Sequence, residues 1–120
     1  MQLERIKLSE RLLDFGAAIL KLVRKSSFDW YLSKQLMRSA TSAGANYEEA
    51  CSGESRADFI HKMQIALKEL NESLYWLRLM EKSSESRNQE LLYLIQENRE
   101  LCAIFVKSVV TAKSRTGRKI

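Results

Sequence analysis

One histidine, two cysteines and a cluster of acids are the natural starting points for chemistry in this 120-residue chain. His61 follows Asp58 by three residues, a spacing at which the two can pair on a helix surface. A metal centre wants three or four ligands on converging elements, and one imidazole with two distant thiols is poor material for it. Cys51 and Cys102 have no histidine at a useful spacing. A nucleophilic thiolate needs a base or an electropositive pocket, so both read as small apolar residues. Glu48, Glu49, Glu54 and Asp58 gather around one turn. They lack the paired Glu-x-x-His motifs of a di-metal bundle and read as acids favoured by a helix start on a solvated face. No Gly-rich phosphate loop, HExxH, GxSxG or Walker-type lysine occurs. No catalytic, cofactor-binding or metal-ligating residue is therefore expected, and the chain reads as non-enzymatic.

Polar and basic residues offer a second kind of chemistry. Asn46 lies among small residues in SAGANYEEA, next to Tyr47. A buried amide must find partners, so Asn46 and Glu49 are the expected polar members of the core. The basic candidates for nucleic-acid contact are Lys34, Arg38 and Lys62, together with Lys113, Arg115, Arg118 and Lys119. Lys34 and Arg38 are four apart and share a helix face. The chain has 20 Lys+Arg against 15 Asp+Glu, a net charge of +5. The last eight residues, KSRTGRKI, carry +4 of this, which leaves +1 for residues 1–112. A single copy would thus show little field outside its tail, whereas a ring of copies would multiply the charge into a basic zone. There is no helix-turn-helix spacing, zinc-finger pattern or aromatic stacking platform in the sequence.

The elements that must position these residues are helices. Proline is absent and glycine occurs four times, too few for a turn-rich β architecture. Apolar residues recur at steps of three and four in four segments. The first spans Leu3–Lys25, with Leu8, Leu12, Phe15, Ile19 and Leu22 in one stripe and Leu13, Leu20 and Val23 widening it. The second spans Trp30–Ala50, with a small-residue stripe of Leu32, Leu36, Ala40, Ala43, Tyr47 and Ala50 that invites close packing, and with Gly44 inside it. The third spans Arg56–Lys82 with the stripe Ile60, Met63, Leu67, Leu70, Leu74 and Leu77. The fourth spans Asn88–Lys113 with Leu91, Ile95, Asn98, Cys102, Phe105 and Val109, thickened by Leu94, Leu101, Val106 and Val110. Ser55 should cap the third helix, Gly53 is a candidate for the left-handed residue that ends the second, and Ser84 or Ser86 should cap the fourth.

Short loops make consecutive helices antiparallel neighbours. The fold class is thus all-α, an antiparallel up-down-up-down four-helix bundle over residues 1–112, followed by a basic, flexible tail at 113–120. The apolar faces are wider than a lone bundle needs, which fits either a thick monomer core or an oligomer interface. No segment is long and apolar enough for a membrane span, and the opening MQLERIKLSER has charges where a signal peptide needs an apolar core. A cytoplasmic location with free thiols is expected.

The stretch QLMRSATSAGANYEEACSGES, Gln35 to Ser55, resembles the 23S rRNA intervening-sequence protein, or S23, family. Gln35, Leu36, Arg38 and Ala40 fit that family's Gln-Leu/Ile-Arg-Arg-Ala segment; Ala45, Asn46 and Glu49 fit its Ala-Asn-Ile-Ala-Glu-Gly-like core. Ser55, Asp58 and Phe59, then Leu67, Glu69, Leu70 and Glu72, are similar to the family's third helix. The chain departs from the pattern at Met37, where Arg is common, at Gly44, where Pro is frequent, and at Tyr47-Glu48, where Ile-Ala is usual. The resemblance, over residues 8–110, implies a four-helix bundle and a homo-oligomer, a pentameric ring. It implies an RNA or protein partner and no cofactor. A related protein partners a reverse transcriptase and binds nucleic acid, which makes an accessory nucleic-acid factor one alternative. A small-molecule binder or enzyme with an internal pocket lined by Asn46, Tyr47 and acids is the other.

Overall fold

The computed structural model describes residues 2–118. Four helices follow one another: α1 (Gln2–Lys25), α2 (Trp30–Cys51), α3 (Arg56–Ser83) and α4 (Gln89–Arg118). No strand occurs among the described residues. α1 packs on α2 and α4, and α3 packs on α2 and α4, so the four rods form a square with consecutive helices antiparallel. The bundle measures 54 × 22 × 21 Å. The start of α1, the α2–α3 turn and the end of α4 share one end of it, the lower end.

Local chemistry sets each boundary. Asp29 caps α2 by accepting from the Tyr31 and Leu32 amides at 2.9 and 3.1 Å. Ser55 caps α3, accepting from the Asp58 amide at 3.0 Å as expected. α4 is capped by Asn88, which accepts from the Leu91 amide at 3.1 Å, and not by Ser84 or Ser86; Ser84 closes α3 instead. No described residue has a positive φ, so Gly53 does not end α2 in a left-handed turn, and Ser52 closes that helix. α4 runs on to Arg118, past the expected end at Lys113. Basic residues favour the negative end of a helix dipole, and nothing before Gly117 interrupts the helix.

The core is one cluster drawn from all four helices, including Leu12, Phe15, Ile19, Leu22, Leu36, Tyr47, Leu70, Leu77, Leu101 and Phe105. The α2–α3 seam is the closest, as the small-residue stripe predicts. Ser39, Ala40 and Ala43 of α2 are buried there, and the Ser73 hydroxyl lies 3.2 Å from that of Ser39. This closeness turns α3 on its axis relative to the leucine stripe. Ala66, Ser73 and Met80 are buried, whereas Ile60, Leu67 and Leu74 are half-buried at the edge.

The polar core differs from the expectation. Asn46 is half-buried and donates to the Ser42 carbonyl of its own helix at 2.9 Å. Glu49 is exposed. The buried amide is Asn98, fully enclosed, whose Nδ2 donates to the Leu70 carbonyl at 2.9 Å and whose oxygen accepts from the Leu74 amide at 3.1 Å. Asn98 sits on the apolar stripe of α4, whereas Asn46 lies beside the stripe of α2 and turns back to its own backbone.

Candidate nucleic-acid interface

The expected basic residues do not converge on one surface. Lys34 and Arg38 belong to the upper half of α2; Lys62, Lys113 and Arg115 belong to the lower end. Two of the expected set are held in ion pairs. Arg38 forms ion pairs with Glu69, at 3.2 Å, and with Glu72. Its guanidinium is held above its ordinary value first by the hydrogen bond with Glu72. Lys62 pairs with Glu49 at 2.8 Å, which raises its ammonium likewise and ties α3 to α2. Lys34 Nζ stands 5.1 Å from the centre of the Trp30 ring. Lys113 and Arg115 are exposed on the last turns of α4. Lys119 and the side chain of Arg118 lie outside the described residues.

A second basic feature lies at the lower end of the bundle. The α1–α4 seam is the loosest of the four, and at the lower end it opens into a groove of about 830 Å³. Its rim carries Arg5, Lys7, Arg11, Arg56, Lys107 and Arg115 against Glu4 and Glu54. Its floor is apolar, with Leu8, Phe59, Met63 and Ile104. Arg11 is spoken for: it binds both oxygens of Glu97 at 2.7 and 2.8 Å and reaches Glu100 at 2.8 Å, a strut that holds α1 to α4. The Glu97 hydrogen bond leads the causes that raise the Arg11 guanidinium above its ordinary value. Arg5, Lys7, Arg56, Lys107 and Arg115 take part in no ion pair among the described residues. Sequence order hides this groove, because its cations come from three helices. Only Arg115 belongs to the basic set expected from the sequence. The usable signal was spacing: Lys107 and Arg115 lie eight residues apart on α4, which places them on one flank.

His61 is exposed. Among the described residues, no three His, Cys, Asp or Glu side chains are placed to hold a metal. Burial pushes the Cys102 thiol above its ordinary range, so it stays protonated. Tyr47 is also pushed up, first by burial and then by its contact with Cys51. Tyr47 lines the groove, but Asn46 does not, and the rim is basic rather than acidic. The groove thus differs in its lining from the pocket expected for a small-molecule binder. Among the described residues, no helix is long and apolar enough to cross a membrane.

The sequence model of the 23S rRNA-intervening sequence protein family matches residues 4–107. The chain is also similar to a protein of unknown function from the S23 ribosomal protein family of Bacteroides thetaiotaomicron, whose crystal structure is known. The two are 34% identical and superpose with a TM-score of 0.77. The match covers 85% of this chain and 97% of the other. No curated protein matches.

Proposed function

Because the chain belongs to the 23S rRNA-intervening sequence protein family, we propose that it is a non-enzymatic, ring-forming interaction module whose basic groove holds RNA. The observation that carries this reading is the groove itself. Five cations without ion pairs face two acids along one open seam, on a body that is otherwise almost neutral. An open, positively lined channel suits an extended polyanion better than a compact ligand.

Assembly into a ring is supported by where the surplus apolar residues lie. Ile6 and Leu13 share the outward face of α1 on the flank nearer α2, the flank from which Ser9 donates to Glu48. Val106 and Val110 share the outward face of α4 on the flank nearer α3, the flank from which Cys102 reaches Asn71. These patches sit on opposite sides of the square, at the same lower level. Two different patches on opposite sides fit a head-to-tail contact, which closes into rings; a two-fold dimer would use one patch twice. Five copies would carry about +25. A reducing cytoplasm suits the two free thiols.

The test is retention of a mixed-sequence RNA as salt rises. Binding should weaken steeply, and the combined substitution Arg5→Gln, Lys107→Gln and Arg115→Gln should flatten the salt dependence by roughly two to three phosphate contacts. Salt-insensitive retention, or an unchanged slope in that variant, contradicts the reading.

A further inference from the structure

The upper ends of α2 and α3 carry a band of aromatic rings and cations that the groove does not use: Trp30 and Lys34 lie on the outward flank of α2 nearer α1, and Tyr31, Trp76 and Tyr75 lie across the α2–α3 seam. Trp30 is 73% exposed and Tyr75 is 59% exposed. Tyr31 meets Trp76 edge to face with centroids 6.1 Å apart, and Tyr75 meets Trp76 at 5.1 Å. Trp76 is fixed in turn. Its indole N–H donates to Glu72 at 3.0 Å, and Glu72 is held by Arg38. Lys34 lies against the Trp30 ring. On α3, Lys68 and Lys82 flank Tyr75 two turns away on either side and share its outward face. Lys34, Lys68 and Lys82 take part in no ion pair among the described residues.

Single exposed aromatic side chains are common, but several rings in one band interleaved with unpaired cations are not. The chemistry that matches this alternation is a single-stranded nucleic acid, in which each base offers a flat face and each is followed by a phosphate. A second copy seated on the same band would have to desolvate Lys34, Lys68 and Lys82 without partners, which is costly. Duplexes hide their base faces, so the band would favour unpaired strands. We propose that this band is a stacking site for unpaired nucleotides: Trp30 and Tyr75 take bases, and Lys34, Lys68 and Lys82 take the neighbouring phosphates. The proposal rests on the RNA reading but stands on other residues, at the other end of the bundle.

Trp30 and Trp76 are the only two tryptophans in the chain, so its tryptophan emission reports on this band. The full chain is titrated with an unstructured single strand of about 12 nucleotides and with a duplex of the same length. The single strand should quench the emission and bind more tightly than the duplex. Trp30→Ala, at an exposed ring, should keep the helical circular-dichroism signal and weaken binding roughly tenfold, and Trp30→Phe should restore most of the loss. The groove variant with three glutamines should bind less tightly but reach the same quench at saturation. Salt-dependent RNA binding without a quench, or with Trp30→Ala unaffected, overturns the stacking site and leaves the groove reading standing. An unchanged salt slope in the groove variant alongside a Trp30-dependent quench does the reverse. A fall in oligomer mass on Trp30→Ala assigns the band to a second copy and also overturns the proposal.

Discussion

Asn98 shows what a single polar side chain does in this core. Its amide bridges α4 to the α3 backbone at Leu70 and Leu74 with no access to water. Asn98→Ala removes both bonds and leaves a void, so it should destabilise the bundle by about 2–3 kcal/mol in urea denaturation; a loss below about 0.5 kcal/mol would contradict this role. The residue stood in plain view on the α4 stripe, between Ile95 and Cys102, and the same reasoning that singled out Asn46 applies to it with more force. Gly44 is a second instance. A methyl group there would meet Leu12 Cβ at 3.8 Å, an ordinary contact, so close packing does not demand glycine. Gly44→Ala should therefore raise stability by about 0.4–1 kcal/mol, read as a higher melting temperature. Glu72 gives a pH signature. Its carboxylate is held below the ordinary range first by the Trp76 indole N–H and then by Arg38. A depressed carboxyl contributes stability above its unfolded value of about 4.3 and loses it as the pH falls through the lower folded value. Wild type should thus exceed Glu72→Gln in melting temperature near neutral pH, and the gap should close in acid; an equal gap at both pH values would count against the pairing.

At the scale of the helices, periodicity and capping carry most of the information. All four segments form where the three–four spacing places them, and the caps Asp29 and Ser55 act through ordinary side-chain acceptance of amides. Asp29→Ala should cost about 1 kcal/mol and fray the start of α2, which hydrogen exchange at Tyr31 and Leu32 would register; unchanged protection at both amides would show that the cap is idle. What the spacing did not give is the rotation of α3. A stripe of leucines is the largest apolar signal in that segment, but the small face of α2 draws in Ala66 and Ser73, and Leu67 and Leu74 move to the edge. Such a rotation depends on a partner helix and cannot be read from one segment. The end of α4 was likewise drawn too early, because the tail shows no apolar stripe of its own and helix continuation there rests on the dipole and the absence of a breaker.

Across the whole molecule, the architecture was legible and the basic site only partly so. Long helices, few loop residues and Leu36, Leu70 and Leu101 at core spacing dictate a bundle. The groove was not legible, since Arg5, Arg56 and Lys107 are far apart in sequence and meet only when the loose α1–α4 seam forms. The surplus apolar residues were legible as a surplus. The structure puts Leu13 and Val110 outside, 65% and 61% exposed, and thereby divides a core question from an assembly question. If the two patches join copies head to tail, the combination of Leu13→Glu and Val110→Glu should yield folded monomers. Light scattering on the full chain, alone and mixed with RNA at low salt, bears on assembly and binding together. A closed oligomer of several chains should appear, take up RNA in the same peak and release it in high salt. A folded monomer that passes separately from the RNA would contradict both the ring and its groove.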